Sequence, residues 1–173
     1  MFEIFKKKKT EERNGDTYSQ EDLEELYVRA LNYIDGKNGC PRDPKEGLRL
    51  LRLVAERGYT DAYFDIGGIY GTGWGVKRDL DEAEKWYLLA EKNGHPKSYG
   101  RIADIYLCRE KPKEAVKWLK KGAERGIADA MDMLGYLYAE GDDVPYDRAE
   151  AIKWYTLAKE HGADVEEDLK KLL

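Results

Sequence analysis

Cysteine and histidine are scarce in this chain, with two of each among 173 residues. Cys40 and Cys108 are too few and too far apart to suggest a secreted disulfide framework, and both are expected as free thiols. His95 and His161 each flank a glycine and have no second ligand nearby in sequence, so they read as turn residues, and no metal site is expected. No apolar run approaches the roughly 20 residues needed to span a bilayer. Met1–Phe5 is too short for a signal-peptide core and precedes the lysines Lys6–Lys9 rather than following them. These absences point to the cytoplasm and exclude stable membrane insertion. The net charge of -5 lacks the basic footprint of non-specific nucleic-acid binding. The run Gly71-Thr-Gly-Trp-Gly75 follows a helical pattern rather than a strand, and no Lys-Ser/Thr pair follows it at phosphate-loop spacing. No Ser/His/Asp set or paired carboxylates stand out among the 35 acids of a solvated surface. The expectation is a protein with no catalytic residue and no cofactor, and not an enzyme.

What is abundant is periodicity. Ala62, Ile66, Gly67 and Tyr70 share one helical face, as do Ala83, Trp86, Tyr87 and Ala90, and a glycine-rich turn separates the two runs. This helix–loop–helix recurs. Gly58, Gly94, Gly126 and Gly162 end successive units, and Trp86, Trp118 and Trp154 stand eight residues before three of them. Ala83, Ala115 and Ala151 precede those tryptophans by three, with Gly47 in the corresponding place of the first unit. Ala62, Ser98 and Ala130 follow the glycines by four, and Tyr70, Tyr106 and Tyr138 come eight later. So many aligned positions amount to an internal repeat. Small residues at Gly67, Ala103 and Gly135 let helix backbones approach, and Trp and Tyr fill the space beside them. Asp43, Asp79 and Asp147 stand where side-chain N-caps are wanted. One such hairpin cannot bury its apolar face, whereas four stacked hairpins bury a continuous core.

The pattern Ala-x3-Ile/Leu-Gly-x2-Tyr, Gly-x-Gly-Val-x2-Asp, Ala-x2-Trp-Tyr-x2-Ala-x3-Gly resembles the Sel-1-like repeat, a cousin of the tetratricopeptide repeat. The resemblance is nearest in 61–96 and 129–164. It implies an all-α, right-handed α-solenoid (α/α superhelix) of about four helix–loop–helix repeats, used for protein–protein contacts. We expect a flexible lysine-containing tail at 1–19, a repeat domain at 20–164 (repeats about 23–60, 61–96, 97–128 and 129–164) and a C-terminal capping helix in 165–173. The third unit lacks the Gly-x-Gly-Val loop, so a deletion of four residues should tighten its hairpin, with Pro112 as first helical residue. The lysines Lys6–Lys9 beside Phe2, Ile4 and Phe5 allow at most a transient contact with an anionic membrane.

In tetratricopeptide geometry the first helix of each hairpin lines the concave groove. By repeat register that face carries Glu24, Tyr27, Leu31 and Asp35, then Asp61, Phe64 and Gly68, then Lys97, Gly100 and Asp104, then Asp129, Asp132, Tyr136 and Glu140. Acids with interspersed aromatics suit a basic or amphipathic segment of another protein, with aromatics for contact energy and acids for steering. The expected function is an interaction module, acting as scaffold, adaptor or regulatory subunit. The alternatives are a small immunity-type or inhibitor protein bound to one toxin or enzyme, and an enzyme acting on a small substrate. A degenerate first unit also leaves room for a homodimer.

Overall fold

The computed structural model describes residues 18–173. Within them the chain forms nine α-helices and no strand. They are α1 (Gln20–Asp35), α2 (Pro44–Ala55), α3 (Thr60–Thr72), α4 (Leu80–Lys92), α5 (Ser98–Cys108), α6 (Pro112–Glu124), α7 (Ala128–Glu140), α8 (Arg148–Glu160) and α9 (Glu166–Leu172). Of the tail expected at 1–19, residues 1–17, with the lysine run, lie outside the described residues, and Ser19 caps the first helix.

Helix starts follow the sequence chemistry. Ser19 and Asp22 form a reciprocal capping box at α1. Asp43 accepts from the Glu46 amide, Asp79 from the Asp81 and Glu82 amides, and Asp147 from the Ala149 and Glu150 amides. α6 has no side-chain cap: Lys111 stands where the other second helices have aspartate. Each second helix ends alike. At Gly94, φ is +87°, and the next amide, of His95, donates to the Ala90 carbonyl at 2.9 Å. The same bond recurs from Tyr59 to Val54, Ile127 to Gly122 and Ala163 to Ala158.

Each hairpin closes through one bond, from the N-cap amide of the second helix to a tyrosine carbonyl near the end of the first. The pairs are Asp43–Tyr33 (2.7 Å), Asp79–Tyr70 (2.9 Å), Lys111–Tyr106 (2.9 Å) and Asp147–Tyr138 (3.0 Å). In the second and fourth hairpins that bond spans nine residues. In the third it spans five, which is the expected deletion, and Pro112 does open α6. Glu110 turns the shortened corner with φ +55°, an uncommon conformation for a residue with a Cβ.

Side-chain size sets the approach of paired helices. A Cβ added at Gly67 would lie 2.7 Å from the Tyr87 ring, and one at Gly135 would lie 2.6 Å from Tyr155. The buried tyrosines, rather than the half-buried tryptophans next to them, fill the glycine notches. Adjacent loops interlock as well, since a Cβ at Gly75 would meet Pro44 of the preceding hairpin. The core runs as three clusters, joined where Tyr70, Tyr106 and Trp118 each belong to two of them. Leu51, Ile66, Ile102, Leu119 and Leu134 are fully buried along its length, each worth about 1.5–3 kcal/mol of hydrophobic stabilisation. At the C-terminal end Val165, Leu169 and Leu172 pack on the last hairpin, while Leu173 points to solvent. The major packing joins helices consecutive in sequence, with one addition in which α5 meets α7 across a repeat seam. The molecule is an all-α repeat solenoid.

Candidate functional site

The first helices α1, α3, α5 and α7 carry eleven carboxylates and two arginines, Arg29 and Arg101. The second helices α2, α4, α6 and α8 carry twelve lysines and arginines and nine acids. The overall charge of -5 hides this division. The acidic excess belongs to one set of helices, and that set holds nearly every candidate residue.

At the N-terminal half of this face the candidates are linked. The Tyr27 hydroxyl donates to Asp65 Oδ2 at 2.6 Å, and its ring lies 4.7 Å from that of Tyr59. Burial raises the Asp65 carboxyl above its ordinary 3.8; the Tyr27 hydroxyl opposes this and nearby Asp61 reinforces it. Burial likewise raises Tyr59, with the charges of Glu24, Asp61 and Asp65 adding to it. Phe64 stacks on the His95 ring at 4.2 Å and leans on Tyr87 at 5.4 Å. His95 Nε2 stands 3.7 Å from Asp61 Oδ1, and Nδ1 is buried with no hydrogen-bond partner among the described residues. Burial lowers this imidazole, Asp61 and Asp65 pull it back up, and Lys97 lowers it further. Glu24, Tyr27, Asp61, Phe64 and Lys97 thus share one cluster. Tyr27 and Phe64 are half-buried in the seams between repeats, whereas Asp61 and Lys97 are exposed.

Asp35 is paired with Lys37 at 2.6 Å, and Asp104 accepts from Arg101 at 3.2 Å. A second cluster lies toward the C-terminal end. Asp132 is raised by burial, then by the charges of Asp168 and Asp129. Asp129 and Glu140 are exposed, and Tyr136 exposes 56% of its surface.

Four contributors to this face lie outside the sequence-based set: Asp65, His95, Trp74 and Asp168. Asp65 was accessible to helical arithmetic, since it follows Asp61 by four residues and shares its face. His95 sits in a turn and Trp74 in a loop, where helical register says nothing, and Asp168 arrives from α9. Trp74 is half exposed, with the Arg42 guanidinium 5.2 Å from its ring centre. It forms the rim of a cleft of about 350 Å³ between α1 and α3, walled by Leu31, Ile34, Ile69, Asp35 and Asp65.

Among the described residues no group of three or more histidines, cysteines or acids is placed to hold a metal. Both cysteines are free; Cys40 is half-buried and Cys108 exposed. No described helix is long and apolar enough to cross a membrane.

Stacked helical hairpins, matching caps and a charge-divided surface define a helical-repeat protein. The chain belongs to the Sel1 repeat family, whose model matches residues 27–59, 60–95, 105–127 and 128–169. It is similar to a Sel1 repeat protein from Oxalobacter formigenes (TM-score 0.67, 32% identity), covering 82% of this chain and 59% of that one. A protective antigen of uropathogenic Escherichia coli, displaying an SLR fold, aligns with TM-score 0.70 and 28% identity over 88% of this chain and 34% of its own. The chitin synthase regulator SKT5 of Malassezia restricta is 28% identical over 136 residues, 79% of this chain but 7% of its own length. The chain therefore spans only a small part of that regulator.

Proposed function

We propose that this protein is an interaction module, a scaffold, adaptor or regulatory subunit, whose first helices form a groove for a positively charged segment of a partner protein. The observation that carries this reading is the division of charge, with eleven carboxylates and two arginines on the first helices. Acids concentrated on one face steer a basic segment and reject an acidic one, while exposed aromatics supply contact area. Tyr136 is the exposed aromatic best placed for that role, because Tyr27 and Phe64 are already engaged between repeats. The regulator named among the relatives fits a module that acts by binding. Two free thiols fit a reducing compartment, so the cytoplasm belongs to the same proposal.

The test is capture of partners by the wild type beside two surface variants. Asp129→Lys/Tyr136→Ala/Glu140→Lys alters only exposed first-helix side chains, and Lys113→Glu/Lys117→Glu alters the second helix α6. A partner lost by the first variant, at least tenfold, and retained by the second supports the groove. Loss only with the α6 variant would move the interface to the second helices.

A further inference from the structure

Within the proposed groove, one cleft has a more specific chemistry. The floor between α1 and α3 is apolar, built from Leu31, Ile34 and Ile69, and the exposed Trp74 indole stands at its rim. Asp65 forms part of the wall. It is a half-buried carboxylate that receives one hydrogen bond, from the Tyr27 hydroxyl to Oδ2, and among the described residues no lysine or arginine pairs with it. Its neighbour in the cleft, Asp35, is already paired with Lys37 on the solvent side. Burial raises the Asp65 carboxyl above its ordinary range, against the hydrogen bond from Tyr27. Asp61 and His95 are the other titratable groups that act on it; Asp61 opposes its ionisation and His95 favours it. The Asp65 carboxylate and the apolar side chains of Leu31, Ile34 and Ile69 line the same cleft, a combination that suits an aliphatic stem carrying a positive head.

We infer that the α1–α3 cleft is a receptor for a single lysine or arginine side chain of the partner, whose stem lies on Leu31, Ile34 and Ile69 against Trp74 and whose head pairs with Asp65. This rests on the groove reading and gives that groove a register: one obligatory basic residue at the α1–α3 seam. Lysine and arginine stems bury readily along apolar surface while the head keeps polar contact. Arg42, which lies beside the indole, leaves hydrophobic walling as the role for Trp74 and charge recognition to Asp65.

The full chain is titrated by two-dimensional NMR with three probes: the acetylated methylamides of lysine, arginine and norleucine. The expected result is saturable shifts of the Gly68, Ile69 and Trp74 indole N–H signals with the lysine or arginine probe. Binding of the uncharged norleucine probe should be at least tenfold weaker. Asp65→Asn keeps an acceptor for Tyr27 and should abolish the preference for charge, and Thr72→Lys, which places a cation on the rim, should block the cleft. Equal response to norleucine, or an unchanged charge preference in Asp65→Asn, overturns the inference. A partner retained by Asp65→Asn but lost by the Asp129/Tyr136/Glu140 variant overturns the receptor and leaves the groove standing. A partner retained by both overturns the groove itself, and the titration still judges the cleft independently.

Discussion

Ser98 stands in the place that Ala62 and Ala130 occupy in neighbouring repeats, and the interior treats it as an alanine. It is fully buried, and its hydroxyl has no hydrogen-bond partner among the described residues. A hydroxyl taken from water without compensation costs about 1–3 kcal/mol. Ser98→Ala removes the polar atom and little volume, so the variant should be more stable by about 1 kcal/mol. For a domain of this size that is a melting temperature higher by about 2–4 °C, read by calorimetry. An unchanged or lower value would mean that the hydroxyl is satisfied in solution. Gly67 and Gly135 stand at the opposite extreme, because at 2.7 and 2.6 Å their missing side chains are already replaced by tyrosine rings. The same small-residue signature in the sequence therefore conceals two situations: a notch filled from the partner helix, and an alanine site carrying a surplus oxygen.

At the scale of the element, the third hairpin departs most from the common plan. Its corner is four residues shorter than those of the second and fourth, it turns through Glu110 in a left-handed conformation, and α6 starts without a side-chain cap. The Lys111 backbone, at φ -119° and ψ 63°, nevertheless resembles that of the capping Asp43, at φ -140° and ψ 84°. Lys111→Asp should therefore install the missing cap and stabilise the fold by about 0.5–2 kcal/mol. Urea denaturation monitored by circular dichroism would show it as a higher midpoint with an unchanged slope. A lower midpoint would show that the short corner holds the side chain away from the Lys113 and Glu114 amides. What keeps this hairpin in register without a long loop is Arg109. Its guanidinium reaches Glu84 at 2.6 Å and Asp81 at 2.5 Å on α4, and Tyr106 donates to the same Glu84 at 2.8 Å. Side-chain bonds to the preceding repeat stand in for the stacked loop that is missing.

Over the whole molecule, carboxylates do two opposing things. Burial pushes Glu91 up, but hydrogen bonds from Lys121 and Tyr99 and the charge of Arg125 outweigh it, leaving the group below its ordinary 4.5. Its benefit is present above pH 4.5 and is lost as the pH falls through its lowered value. Asp132 is raised by burial, Asp168 and Asp129, so its ionisation costs stability at neutral pH, and that cost disappears as the pH falls toward 3.8. Glu91→Gln should therefore destabilise the protein at pH 7, by about 1–3 kcal/mol for a hydrogen-bonded charge at a repeat seam. Asp132→Asn should be neutral or stabilising at the same pH. Both differences should shrink as the pH falls below 4.5, and unfolding curves at pH 7 and through the acid range decide it; a Glu91→Gln loss that does not diminish in acid would mean that packing rather than charge holds the seam. The stabilising acid joins second helices to their neighbours, whereas the costly ones, Asp65 and Asp132, lie on the first helices.

Repeat length, caps, helix ends, the shortened third corner and the helical class were all legible in the chain, because each depends on residues close in sequence. Aspartate at an N-cap, glycine after the last turn and alanine at a backbone crossing act within a few residues of where they are written. The acids of the first helices were legible for the same reason, since helical register needs only spacing. What surrounds them was decided by tertiary structure alone. Nothing local indicates that Tyr27 would meet Asp65 across 38 residues, that the His95 ring would stack on Phe64 from its turn, or that Asp168 would bring its charge to Asp132. Burial and juxtaposition across repeat seams set whether a carboxylate is solvated, paired or left without a cation. Those properties exist only once the hairpins are stacked.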